Sequence, residues 1–147
     1  MRACVRSRST RAAGLYGAII PDLPFEEGDA LLSAFDKEQL DPVFIFSPNT
    51  PDARMQAIAK RARGFVYCVA RKGVTGSNTE FAELGEYLAR CRKATSLPLA
   101  LGFGVKSRAD IAAITGQVDI AVIGSETIRI VDQDGVDAVP SFIRGLR

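Results

Sequence analysis

The sequence predicts an α/β domain in which five strand–helix units form one parallel sheet with helices packed outside it. Three observations predict it. Short apolar runs alternate five times with longer stretches of helical periodicity. The runs carry apolar residues at successive positions instead of alternating with polar ones, the pattern of strands covered on both faces. Loops bearing glycine or proline follow the strands at their carboxyl ends, where parallel α/β folds hold their ligands.

Residues 1–13 are rich in Arg and Ser and show no apolar periodicity, so they read as a disordered or out-of-pattern arm ahead of a single domain over residues 14–147. An Arg-rich, acid-poor start is also shared by organellar transit peptides and, with the short apolar run after it, by weak secretory signals. The run from Leu15 to Ile20 stops too soon at Pro21-Asp22 for the latter and reads better as a core strand. A third reading is that these residues stand where other sequence belongs, as after a shifted frame or a misplaced start.

Gly17–Asp22 is the first strand, closed by the turn Pro21-Asp22-Leu23-Pro24. Glu26 and Glu27 then open a helix with Leu31, Leu32 and Phe35 on one face, the acids standing where the helix dipole favours them. Asp41-Pro42 ends that unit. Val43–Phe46 is the second strand, and Ser47-Pro48-Asn49-Thr50-Pro51 leads from it to a helix with Met55, Ile58 and Ala59 inward. Phe65–Val69 is the third strand, and a helix over about residues 80–93 places Leu84 and Leu88 four apart. Pro98–Leu101 is the fourth strand, left through Gly102-Phe103-Gly104, and Ser107–Asp110 starts a helix burying Ile111 and Ile114. Asp119–Ile123 is the fifth, after which Gly124-Ser125-Glu126 leads into a last helical stretch ending near Leu146.

With 147 residues the chain is long enough for one domain with a sizeable core. No apolar run approaches the roughly 20 residues that span a bilayer, which argues against a membrane protein. Cys4, Cys68 and Cys91 are odd in number and lack CxxC spacing, and the chain has no histidine. Metal binding and a disulfide framework are therefore not expected, and a reducing cytoplasm fits. The formal charge of +2 comes from Arg2, Arg6, Arg8 and Arg11; without these four, 15 basic against 17 acidic residues leave −2. Nothing in that balance asks for nucleic acid.

The chain is organised around Arg71-Lys72-Gly73-Val74-Thr75-Gly76-Ser77-Asn78, where an apolar strand runs into a glycine-bearing loop. Gly73 and Gly76 can form a plain turn, or they can let a ligand approach main-chain N–H groups. Two more glycine loops, Gly102-Phe103-Gly104 and Gly124-Ser125, follow the next two strands. A (β/α)8 barrel commonly builds its phosphate site from loops after its last two strands and the N-terminus of a short helix. Gly124-Ser125-Glu126 is placed to open such a helix, with free N–H groups and a hydroxyl facing the anion. A phosphate ester is the expected ligand class.

Five segments then carry a family resemblance: Gly17-Ala18-Ile19-Ile20-Pro21-Asp22-Leu23-Pro24-Phe25-Glu26-Glu27, Phe44–Thr50, Tyr67 with Arg71–Gly76, Leu101–Val105 and Ile123-Gly124-Ser125. In order and spacing they resemble the tryptophan synthase alpha chain, over essentially all of Gly14–Arg147. The resemblance implies a (β/α)8 barrel that cleaves indole-3-glycerol phosphate to indole and glyceraldehyde 3-phosphate, without a cofactor of its own, beside a beta chain that consumes the indole. It places Gly76, Gly104, Gly124 and Ser125 at the substrate phosphate, and Tyr67, Phe103, Ile19, Ile45 and Val122 around the indole. From the residues alone, Tyr67 and Phe103 at strand ends suit a flat ligand, while Ile19, Ile45 and Val122 equally fit simple core packing. Thr75 falls on the loop that in the family closes over the substrate and bonds a catalytic aspartate, or else is a solvated hydroxyl.

The chain departs from the family in extent. A (β/α)8 barrel takes about 250 residues, and the five strands here match the family's fourth through eighth, so a partial barrel lacking the first three is expected. The family's catalytic carboxylates, a glutamate that shuttles the proton and an aspartate that bonds the indole nitrogen, belong to the missing part, and no catalytic residue is assigned here. Asp22 is the one tempting substitute, either facing the substrate or bonding backbone in its own turn. Glu26 and Glu27, near the family's beta-chain contact, read equally as helix N-terminal acids. Two functions follow: an alpha chain that is inactive in this truncated form, or a non-catalytic half-barrel that binds a phosphate ester or docks on a beta chain. Another phosphate-binding barrel enzyme, an epimerase or a synthase of the same pathway, leaves Arg71–Gly76 together with Ser47–Thr50 unexplained. An open half-barrel also exposes sheet edges and apolar surface, so aggregation, dimerisation through those edges or a partly molten state is expected.

Overall fold

The computed structural model describes residues 9–21, 23–70, 78–102 and 104–147, with the side chains of residues 78–82 also outside the description. Five strands form one sheet in sequence order, β1 (Gly17–Ile19), β2 (Asp41–Phe46), β3 (Val66–Val69), β4 (Leu99–Gly102) and β5 (Ile120–Val122), and every neighbouring pair is parallel. A helical turn, α1, covers residues 9–12. The crossovers carry α2 (Asp29–Lys37), α3 (Asp52–Ala59), α4 (Asn78–Ala94) and α5 (Arg108–Ile114), and α6 (Ser125–Asp134) and α7 (Val139–Gly145) close the chain.

Strand register divides the sheet into two faces, because successive side chains point to opposite sides. Phe46, Cys68, Leu101 and Ala121 pair laterally on one face, with Phe44, Val66 and Leu99 beside them. This face meets the helices: Phe46, Val66, Cys68, Leu99 and Leu101 pack with Met55 and Ile58 of α3, Leu84, Leu88 and Cys91 of α4, and Ile114 of α5. The helical spacing of the apolar residues, three or four apart, turns each of these stripes onto the sheet.

The other face carries Ile19, Val43, Ile45, Tyr67, Ala100 and Ile120, with Val69, Gly102 and Val122 one row further along. Here the expectation of cover on both faces meets a difference. Val43 and Ala100 are buried, but Ile19, Val69 and Ile120 remain 37%, 36% and 41% exposed. The cause is geometric: the helices of the core pack on the first face, and only closure of the sheet on itself would cover the second.

Two element boundaries also differ from the sequence reading. The helix expected from Glu26 begins at Asp29, after a 3-10 turn over Phe25–Glu27. Asp41 and Pro42, read as a breaker, form the start of β2. Proline is tolerated there because the Asp41 amide bonds Tyr16 on the β1 side, while the Pro42 carbonyl accepts from the Arg63 amide ahead of β3. The helix after β4 starts as expected, with a capping box between Ser107 and Asp110. No helix among the described residues is long and apolar enough to cross a membrane.

Arginines stitch successive units together. Arg54, Arg61 and Arg63, on or just after α3, reach back to Glu26, Asp29 and Asp36, and Arg92 of α4 reaches forward to Asp119 ahead of β5.

Candidate functional site

The carboxyl ends of β3, β4 and β5 stand level, because Val69, Gly102 and Val122 are lateral partners. Beyond them opens a cavity of about 270 Å³ lined by Tyr67, Ala70, Gly102, Gly104, Val122, Gly124 and Ser125. Five of the residues singled out in the sequence, Tyr67, Gly104, Val122, Gly124 and Ser125, thus meet in one space although they are spread over nearly sixty positions.

Each glycine has its own physical reason. Gly104 holds φ +80°, a left-handed conformation that side chains rarely adopt, with open space around it. At Gly102 space is the limit: an added Cβ would lie 2.1 Å from the Tyr67 hydroxyl and 2.7 Å from its Cζ. The Tyr67 ring therefore lies directly against the β4 backbone. Gly124 is the N-cap of α6, and no side chain caps that helix, so its first amides are available to an anion at the positive end of the dipole. Ser125 stands exposed at the first position of the same helix.

The acid nearest in sequence to this helix start is already engaged. Glu126 accepts from Arg129 at 2.5 Å, and this bond holds its carboxyl below the usual carboxylate range. None of the described residues lining the cavity is a carboxylate. The space thus offers amides, a hydroxyl and an aromatic ring, a set that can hold a phosphate and a flat apolar group, and among its described lining residues the Tyr67 phenol is the one acid–base side chain.

Ile45 and Ile19 share a sheet face with Tyr67 but line other hollows. Ile45, the lateral partner of Tyr67, borders a cleft of about 340 Å³ between the Pro21–Pro24 turn and the Ser47–Pro51 loop. Ile19 stands beside Val43, two residues earlier, in a hollow of about 300 Å³ with Tyr16, Asp41 and Phe65. Gly76, Thr75, Phe103 and Asp22 lie outside the described residues.

Two features of the region were not read from the sequence. The close approach of Tyr67 to Gly102 follows from strand register, and the signal available was the glycine ending an otherwise apolar strand. The second is Arg90 of α4, which grips the Ser47–Pro51 loop: it donates to the carbonyls of Pro48 at 3.1 Å and Thr50 at 2.6 Å, and to Asp52 at 2.7 Å. Within the loop, Thr50 Oγ1 accepts from the Ser47 amide at 3.0 Å. The Arg90 contacts span about forty residues of sequence and left no local signal.

A family model described as tryptophan synthase alpha chain matches residues 7–141. The chain belongs to the tryptophan synthase alpha chain family. The tryptophan synthase alpha chain of Syntrophotalea carbinolica is 58% identical over 135 residues, 91% of this chain and 53% of that one. That of Desulforapulum autotrophicum is 59% identical over 133 residues, 90% of this chain and 53% of its own. Among solved structures, tryptophan synthase subunit alpha from Campylobacter jejuni superposes with a TM-score of 0.86 at 26% identity, covering 99% of this chain and 59% of that one. The chain therefore spans about half the length of the curated alpha chains it matches. The resemblance carried by the five sequence segments is borne out, and so is the fold class: the parallel sheet is the five-stranded part of the family's (β/α)8 barrel.

Proposed function

We propose that this chain supplies the phosphate-holding and indole-facing part of a lyase that cleaves indole-3-glycerol phosphate to indole and glyceraldehyde 3-phosphate in tryptophan biosynthesis. The observation that carries the reading is the cavity at the ends of β3–β5, where Gly104, Gly124, Ser125, Tyr67 and Val122 meet in a member of the alpha chain family. The phosphate sits on the free amides of α6 and the Ser125 hydroxyl, with Gly104 leaving room for it. The indole lies against Tyr67 and Val122. The family resemblance assigns Gly76, Phe103 and Thr75 to the same substrate, while Ile19 and Ile45, which line neighbouring hollows, stand apart from this cavity. No cofactor takes part.

Cleavage breaks the bond between indole C3 and the first glycerol carbon. It adds a proton at C3 and removes one from the hydroxyl of that carbon, which becomes the aldehyde. Both transfers need an acid–base group within hydrogen-bond reach, and the described lining residues include no carboxylate. By itself the 147-residue chain binds the phosphate ester without turnover; in the complete lyase the indole product passes to a beta chain partner.

Calorimetric titration with glycerol 3-phosphate and an assay for indole release test this together. The expected result is binding that is weakened about tenfold or more by Ser125→Asp, which sets a negative charge at the helix start, with indole release at background. Absence of phosphate-ester binding by the folded chain would remove the reading. Turnover abolished by Asp22→Asn would instead assign Asp22 the proton transfer.

A further inference from the structure

We infer that Arg129 is a positioning residue for the phosphate site: by binding Glu126 it keeps that carboxylate from opposing an anion on the first amides of α6. The inference rests on the phosphate-holding reading above. Ser125 and Glu126 are the first two residues of α6. An acid in a first helical turn is ordinarily favoured, because it answers the positive end of the dipole. Here that same positive end borders the cavity that takes the phosphate. The Glu126 charge and the ligand charge therefore compete for one field.

Contacts along the helix itself remove the competition. Arg129 Nε and Nη2 both donate to Glu126 Oε1, at 2.9 and 2.5 Å, and Nη1 donates to the side-chain oxygen of Gln133. Glu126, Arg129 and Gln133 stand three and four residues apart, so they follow one flank of α6. The pair is unequal in exposure, since the Glu126 side chain keeps 13% of its surface open against 49% for Arg129. The carboxylate is the covered partner and the guanidinium its cover. Neither side chain is among the described residues lining the cavity. With Nε, Nη1 and Nη2 all engaged within the helix, Arg129 acts through Glu126 and not as a ligand of the phosphate. Lys106, two residues past Gly104, adds a second positive charge acting on Glu126 from longer range, which softens the loss of Arg129 without replacing its contact. An exposed ion pair contributes little to folding, so the consequence of this one is expected in binding.

Calorimetric titration of the 147-residue chain with glycerol 3-phosphate tests this at low and high salt. Arg129→Ala is expected to weaken binding about fivefold at low salt, the size of effect of one unit charge several ångströms away near a protein surface, and the loss shrinks at high salt as screening shortens the reach of the freed charge. Adding Glu126→Gln to Arg129→Ala returns the affinity to within about twofold of the original chain, and Arg129→Lys, which keeps a cation three residues from Glu126, stays within the same margin. A residue that merely braced α6 would not be rescued by removing its partner. Circular dichroism reports whether Arg129→Ala frays the helix; if it does, Glu126→Gln alone carries the test, and with Arg129 in place it is expected to tighten binding about twofold. Unchanged binding by Arg129→Ala at low salt, a loss independent of salt, a double variant as weak as Arg129→Ala, or weaker binding by Glu126→Gln alone would each overturn the inference and leave the phosphate site standing. No binding by the original chain or by any variant would instead remove the phosphate reading, and this inference with it.

Discussion

At Gly102 the backbone of one strand and the ring of another compete for the same space. A Cβ there would meet the Tyr67 hydroxyl at 2.1 Å, so Gly102→Ala is expected to displace the ring from the cavity and to cost about 1–3 kcal/mol in a urea melt. Adding Tyr67→Phe should recover little, because Cζ alone lies 2.7 Å away; full recovery by the double variant would show that the contact is looser than described. Asp119 shows a different residue-scale effect. Its carboxylate accepts from the Leu99 amide at 2.8 Å and from Arg92 at 2.5 Å, and these hold it below the usual carboxylate range, the amide contributing most. The folded chain binds this proton less readily than the unfolded one, so its stabilisation is present above the ordinary aspartate value of about 3.9 and is lost as pH falls through the lowered folded value. Thermal midpoints measured from about pH 6 down to about pH 2.5 should fall more steeply for the original chain than for Asp119→Asn; parallel curves would remove Asp119 as a contributor.

At the scale of elements, α4 does more than cover the sheet. Through Arg90 it fixes the loop leaving β2, with two of the three bonds going to loop carbonyls. Arg90→Ala is expected to cost about 1–3 kcal/mol and to speed amide exchange over residues 47–51 while leaving β3 and β4 protected. Arg90→Lys should restore only part of this, since an ammonium cannot span carbonyls and carboxylate as a planar fork does. Uniformly faster exchange across the sheet would instead mark Arg90 as a general stabiliser. The start of α6 works through absence: with Gly124 as an uncapped N-cap, its amides are left for a ligand.

At the scale of the whole molecule, the five parallel strands bury one face and leave the other partly open. The free chain is expected to self-associate at micromolar concentration, detectable as concentration-dependent mass by light scattering and a broad thermal transition. A monodisperse monomer with one sharp transition would show that the exposed face is tolerated as it stands.

Much of this molecule was legible along the chain. The five strand–helix units, the inward residues Met55, Ile58, Leu84, Leu88 and Ile114, and the capping box at Ser107 rest on periodicity and local hydrogen bonding, which neighbouring residues determine among themselves. The gathering of Tyr67, Gly104, Gly124 and Ser125 was legible too, because parallel strands in sequence order place successive carboxyl ends side by side. Tertiary structure alone decided the rest. Pro42 entered a strand because the bonds that hold this stretch, the Asp41 amide to the Tyr16 carbonyl and the Arg63 amide to the Pro42 carbonyl, do not use the missing proline N–H. Ile19 and Ile45 went to separate hollows because register, a property of pairs of strands, sets their heights. The Arg90 clamp and the Tyr67–Gly102 contact join residues about forty and thirty-five apart, and the open face exists because five strands do not close on themselves. Composition and periodicity report what a residue prefers nearby; which distant surface it meets, or fails to meet, depends on how the completed elements pack.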